Sequence, residues 1–253
     1  MRFASLGSGS KGNATLVEAG NTRVLVDCGF SCAETEKRLA RLSLQPGDLD
    51  AILVTHEHSD HIAGVARLSR RYQLPVWMTA GTHAAHKGGE LAEYHCINSH
   101  RALRIGDLQV QPFPVPHDAR EPCQFVFSDG RRRLGLLTDV GSITAHLLQA
   151  LDHLDALILE CNHDPGMLAD GPYPLALKQR VGGPYGHLSN QQAANIIDKI
   201  NTDRLQHLVA AHISEKNNDP QLALGCLAAV VGESSFGILA ADQPGGMPWL
   251  GVN

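Results

Sequence analysis

With 253 residues the chain is long enough to bury the core of one large domain or two small ones. Aromatic residues make up only 5%, which suits a layered α/β fold better than a stacking-rich binding module. A net charge of -5 excludes a protein that coats nucleic acid by bulk basicity, so a polyanionic substrate must be met by a local patch or by bound metal.

The first seven residues lack the apolar stretch of a secretory signal, and no apolar run approaches the roughly 18 residues that span a bilayer. The expectation is a cytoplasmic protein with no membrane partner. The Gly-Ser-rich stretch 7–12 contains Lys11; its backbone amides could cradle an anion or simply form a tight turn. Segments 15–17 and 24–26, joined by Gly20-Asn21, read as a hairpin that ends in Asp27-Cys28-Gly29. A helix over 33–42 and a buried strand from 49 follow, and then Thr55-His56-Glu57-His58-Ser59-Asp60-His61. Beyond lie a helix over 62–71, a strand at 76–78 and another at 110–115 that leads to Pro116-His117-Asp118.

The second half echoes the first. A hairpin (124–127 and 134–137, turn Asp129-Gly130) ends in Asp139-Val140-Gly141. A helix over 143–151 precedes the strand Leu154-Asp155-Ala156-Leu157-Ile158-Leu159-Glu160-Cys161, close to Leu49-Asp50-Ala51-Ile52-Leu53-Val54-Thr55-His56. Ser189 is the expected N-cap of a helix over 190–200, and strand 208–211 ends at His212. A last strand is expected over 236–240, with Pro244-Gly245-Gly246 breaking the chain into an irregular end. Two similar αβ halves, roughly 1–120 and 121–253, make one 253-residue domain: an α/β, four-layer αββα sandwich with polar residues at its strand ends. The six cysteines are scattered, and Cys28 and Cys32 have no matching second pair, so reduced thiols are expected.

The chemistry is concentrated after strand 49–54. Four potential ligands within six residues, imidazole and carboxylate, can reach two adjacent ions and suit zinc, manganese or iron. His117, Asp139 and His212 also end strands; singly each could be a capping aspartate or a satisfied histidine. The HxHxDH cluster with distant His, Asp and His resembles the signature of the metallo-β-lactamase superfamily, over nearly the whole chain. The stretches Ser8-Gly9-Ser10-Lys11-Gly12-Asn13, Leu159-Glu160-Cys161-Asn162-His163-Asp164, Gly186-His187-Leu188-Ser189-Asn190 and His212-Ile213-Ser214-Glu215-Lys216-Asn217-Asn218 are similar to the YycJ-like (WalJ-like) exonuclease group. That resemblance implies two divalent ions. His56, His58 and His117 would hold the first; Asp60, His61 and His212 the second; Asp139 would bridge; Asp27 would orient the histidine loop without binding an ion.

Such a centre uses a bridging hydroxide as nucleophile and could open a lactam, a thioester or a phosphodiester. Asp139, a hard carboxylate where β-lactamases of this fold commonly place cysteine, favours an anionic, oxygen-rich transition state. His187 resembles the extra histidine of the superfamily's phosphodiesterases and could serve the leaving alkoxide, with Glu160 holding it charged, or it could be structural. Asp60, His187 and Glu160 are therefore the candidate catalytic residues. Lys11 and Arg180 are candidate substrate contacts, with Arg101, Arg104, Arg120, Lys178 and the run Arg131-Arg132-Arg133 as further cations. The expected activity is a DNA or RNA exonuclease; the alternatives are a hydrolase of small cyclic or linear phosphodiesters or of acyl substrates, and a catalytically idle metal-binding regulator.

Overall fold

The computed structural model describes residues 1–232 and 236–253. Strands β1 (Arg2–Gly7), β2 (Ala14–Ala19), β3 (Thr22–Val26), β4 (Ala51–Leu53), β5 (Pro75–Thr79) and β6 (Glu93–Ile97) form one sheet. β7 (Leu103–Ile105), β8 (Leu108–Pro114), β9 (Cys123–Ser128), β10 (Arg133–Leu137), β11 (Ala156–Glu160), β12 (His207–Ala211) and β13 (Gly237–Ala240) form the other. β14 (Met247–Gly251) returns to the first sheet and pairs antiparallel with β1. In each sheet a run of antiparallel strands gives way to parallel ones, from β3 to β6 and from β10 to β13.

Both sheets are buried on both faces, so their central strands are continuously apolar rather than alternating. The period of two still sorts the side chains. Val24, Val26 and Leu53 meet Phe125, Leu136 and Ile158 between the sheets. Leu25, Ile52 and Val76 face outward onto Leu39, Val65 and Leu68 of α1 (Cys32–Arg41) and α3 (Val65–Tyr72), which flank the short α2 (Ser59–Ile62). On the other side Leu157, Leu159 and Leu208 pack on Leu147, Ile196 and Leu227. Those three lie on α5 (Ala145–Ala150), α8 (Asn190–Lys199) and α9 (Pro220–Val231). The order helix, sheet, sheet, helix is the expected four-layer αββα sandwich. The connections also contain α4 (Ala80–Ala85), α6 (Pro165–Asp170) and α7 (Leu175–Val181).

Two expectations are corrected. The chain passes from the first sheet to the second between Ile97 and Leu103, not near residue 120, because β7 pairs with β8 and β8 with β9, and neither pairs with β6. The end is not irregular: Asp242 and Gly246 bridge each other, and Gly246, at φ +71, turns the chain back so that β14 can pair. Pro248 is tolerated there because β14 is an edge strand.

Candidate metal centre

The parallel strands of both sheets run toward one edge, and the candidate ligands lie there, Asp60 and His61 in the short α2 and the others in loops. Three residues just beyond strand ends take the left-handed conformation: Asp27 (φ 61), Asp139 (φ 56) and His212 (φ 53). Short polar side chains tolerate it, and it turns the chain sharply at the crevice. His56, His58 and His117 bring ring nitrogens within 4.8 Å of one another, and a carboxylate oxygen of Asp60 and ring nitrogens of His61 and His212 lie within the same distance. Asp139 lies between the groups, with Oδ2 2.9 Å from His61 Nε2 and Oδ1 3.4 Å from His212 Nδ1 and 3.9 Å from His117 Nε2.

Most of these rings are anchored by one nitrogen, leaving the other for the crevice. His56 Nδ1 lies 2.9 Å from Thr55 Oγ1, and His117 Nδ1 donates to Gly186 O at 2.9 Å. Asp27 takes His61 Nδ1 at 2.7 Å and also accepts the Thr55 backbone N–H and hydroxyl, each at 2.8 Å. His58 is held less firmly, with Nδ1 3.2 Å from His117 Nε2 and Nε2 3.8 Å from Asp118. On the inner side His56 Nε2 and His212 Nε2 are buried with no hydrogen-bond partner, and Asp139 Oδ2 is buried with only the His61 contact. Orphaned buried polar atoms are costly, and several converging on one space fit a divalent cation. Burial alone would make His61 and His212 neutral. Asp139, with Asp27 and Asp60 around His61 and with Asp60 and Glu160 around His212, instead holds both rings protonated, His212 up to about 10. A bound cation would displace those protons.

Glu160 is the hub of the second half. Oε1 accepts the Asp139 N–H at 3.0 Å and lies 2.9 Å from both His187 Nδ1 and His212 Nδ1. Oε2 accepts the N–H groups of Val140 (3.1 Å) and Leu188 (2.9 Å). Burial works against its charge, yet the neighbouring imidazoles hold its pKa at about 2. Because Glu160 is fully buried and does not line the cleft, the expectation of a catalytic residue is corrected to a positioning one. His187 does line the cleft, and burial is outweighed by Glu160, which raises its pKa. Ser189 caps α8 as expected, its side chain accepting from Gln192 N.

The cleft over this centre measures about 310 Å³, and of the cations noted in the sequence only Arg180 is among the described residues lining it. Arg180 Nε donates to Asp118. Lys11, 70% exposed, pairs with Glu215 at 2.7 Å. Its loop forms a tight turn rather than an anion cradle, because the N–H groups of Gly9, Lys11 and Gly12 are consumed by Asn13, Gln243 and Gly9. Arg131 and Arg132 precede β10 and Arg133 begins it, whereas Asp139 follows it, so the run sits at the far end of a strand about 16 Å long at roughly 3.3 Å per residue. Arg132 there bonds Asp155 at 3.0 Å, and Arg133 donates to Asp152 O. Sequence reasoning missed Asn13, whose Nδ2 stands 3.1 Å from His61 Nε2, and Ser8, whose Oγ accepts the His212 N–H at 2.8 Å. It also missed Asp118, although Ser8 lies in the Gly-Ser stretch, Asn13 directly follows that stretch and Asp118 follows His117.

All six cysteines are free, and no described helix is long and apolar enough to cross a membrane. Among known proteins, the chain is 36% identical to the exodeoxyribonuclease YycJ of Bacillus anthracis over 94% of its own length and 92% of that protein. It is 32% identical to the exodeoxyribonuclease WalJ of Streptococcus pneumoniae, over 94% of this chain and 90% of that one. The solved metallo-β-lactamase fold protein YhfI of Bacillus subtilis superposes with a TM-score of 0.74 at 18% identity, covering 98% of each chain. The family model of the β-lactamase superfamily domain matches residues 22–213, so this chain belongs to the metallo-β-lactamase superfamily, together with the YycJ and WalJ proteins.

Proposed function

We propose that the chain is a two-metal phosphodiesterase, specifically an exodeoxyribonuclease. One observation carries the reading: two ligand groups meet at one carboxylate, Asp139, and beside it stands His187, held 2.9 Å from the buried Glu160. His56, His58 and His117 would hold one ion, Asp60, His61 and His212 the other, and Asp139 both, with zinc, manganese or iron suiting the donors. Bound ions would supply an activated water and draw charge from the phosphoryl oxygens.

The chain's own groups supply the remainder. Glu160 fixes His187 by Nδ1, so Nε2 is the atom able to hand a proton to the leaving alkoxide. Arg180, bonded to Asp118 through Nε, keeps its other guanidinium nitrogens for a phosphate at the rim. The relatives named exodeoxyribonucleases, matched over at least 90% of both chains, support DNA as the substrate. The unpaired cysteines support a reducing, cytoplasmic setting. Metal-loaded protein should release mononucleotides from end-labelled single- or double-stranded DNA; no release with manganese, zinc or iron sinks the reading.

A second reading, hydrolysis of small cyclic or linear phosphodiesters, is favoured by the acidic net charge and by the pairing of Lys11 with Glu215 and Arg180 with Asp118. Turnover of bis-p-nitrophenyl phosphate without action on polynucleotides would select it.

A further inference from the structure

The cleft over the metal centre has two kinds of lining besides the candidate ligands. Tyr173, Leu177 and Val181 come from the excursion over 164–186, and α7 there has no buried residue, so Leu177 and Val181 serve the cleft and not a core. Tyr173 is the one aromatic ring other than imidazole among the described lining residues, and the Lys216 ammonium stands 5.7 Å from its centre. The other lining is neutral and polar: Asn162, Ser214 and Asn217. Asn162 Nδ2 donates to His212 O at 3.1 Å, and Ser214 Oγ accepts the Asn217 N–H at 3.2 Å. Asn217 is 0% exposed, yet its Oδ1 has no partner. A side chain on the adjacent Gly171 would stand 2.5 Å from that oxygen, so only a glycine lets the Asn217 amide sit where it does.

A volume of about 310 Å³ is at the lower end of sites that enclose one small molecule, roughly 300–1,000 Å³. It admits one nucleotide and not a duplex. A ring beside a cation suits a nucleobase, because every base has a face to stack and the cation adds to the attraction. A buried, unpartnered acceptor suits a base or sugar donor.

We infer that the cleft is a terminal-nucleotide pocket: it takes the last, unpaired nucleotide of a strand, with the base on Tyr173, a donor to Asn217 and the phosphate toward Asp139 and Arg180. This rests on the phosphodiesterase reading for the position of the phosphate. It also accounts for a polyanion being held by an acidic chain, since recognition falls on one nucleotide and not on a run of phosphates. Binding through so few phosphates should be only weakly dependent on salt.

The test is calorimetric titration of the metal-loaded protein with dAMP and with deoxyribose 5-phosphate, which differ only by the base. The wild type should bind dAMP about 5- to 150-fold more tightly, the range expected of a base on an aromatic ring. Tyr173→Ala should reduce that gap to under about twofold, and Tyr173→Phe, which retains the ring, should preserve it. Equal affinities in the wild type, or a gap unchanged in Tyr173→Ala, overturn the inference. A parallel digestion of strands ending in a normal or an abasic nucleotide separates the two readings. Discrimination by calorimetry with neither strand digested supports the pocket and removes the nuclease; equal digestion of both without discrimination removes the pocket and leaves the nuclease.

Discussion

Replacing Glu160 by glutamine changes one atom and the charge, and the structure sets the consequence. The carboxylate accepts three backbone N–H groups, from Asp139, Val140 and Leu188, and faces Nδ1 of both His187 and His212. An amide has only one oxygen. With that oxygen at Oε1, the new NH₂ confronts the N–H groups of Val140 and Leu188; with it at Oε2, the NH₂ confronts the Asp139 N–H and the two rings. Either way at least two buried donors lose their acceptor, at about 1–3 kcal/mol each, or roughly 2–6 kcal/mol together. The linkage route gives a similar size. A folded pKa of about 2 against an ordinary 4.5 corresponds to about 3 kcal/mol for this fully buried group. Because the folded pKa is the lower one, that stability is present above about pH 4.5 and is lost as pH falls toward 2. Glu160→Gln should therefore lower the Tm at pH 7 by on the order of 10 °C, since a chain of this size shifts about 2–4 °C per kcal/mol. The deficit should shrink on acidification. Circular dichroism melts with a chelator present exclude any contribution from metal binding. A Tm within about 2 °C of wild type would refute the argument that this carboxylate holds the second half of the centre together.

Further outcomes follow from the same geometry. Asp27→Ala removes the acceptor of Thr55 and His61 and should weaken metal binding about 10- to 100-fold with the fold retained, read by competition with a chelating dye; unchanged affinity counts against the anchoring role. His58→Ala, at a partly exposed ring, should leave the circular dichroism spectrum intact while bound metal falls from about two ions per chain toward one by elemental analysis. Arg131→Ala should alter DNA digestion less than about twofold, because the arginine lies at the far end of β10; a larger loss would mean that substrate reaches that edge. Burial pushes the Cys28 thiol up to about 12 and raises Cys123 and Cys161 as well, so alkylation of native protein at pH 8 should label the exposed Cys96 and half-exposed Cys226 and spare those three until denaturant is added.

The architecture was legible because doubly buried strands announce themselves as apolar runs, and the histidine cluster because residue type alone carries metal chemistry. The supports were not legible for the opposite reason. Asn13, Ser8, Asp118 and Asn217 are ordinary polar residues whose roles arise only when distant segments close, as when Ser8 accepts the N–H of His212. Arg131, Arg132 and Arg133 drew attention as a charge run, although strand direction already separates the start of β10 from its end. β14 escaped because its pairing with β1 joins the two ends of the chain, and no local pattern marks a partner so remote.

The echo between the halves explains why two aspartates in similar settings differ in role. Arg23 exchanges backbone and side-chain bonds with Asp50, and Arg133 does the same with Asp155, at 2.7–2.8 Å in every case. Val24 pairs with Ala51 as Leu134 pairs with Ala156, so Arg23 and Arg133 are matching positions. The left-handed aspartate comes four residues after Arg23 but six after Arg133. Two extra residues preserve the face on which a strand's side chain projects and advance it by about 6–7 Å. Asp27 consequently stops short and holds Thr55 and His61 from beneath. Asp139 travels on into the crevice, where Glu160, two residues beyond the match of Leu53, secures it by its backbone N–H and leaves its carboxylate toward the rings. The same scaffold thus yields a buttress in one half and a ligand candidate in the other, and the difference is two residues of spacing between arginine and aspartate and not residue type.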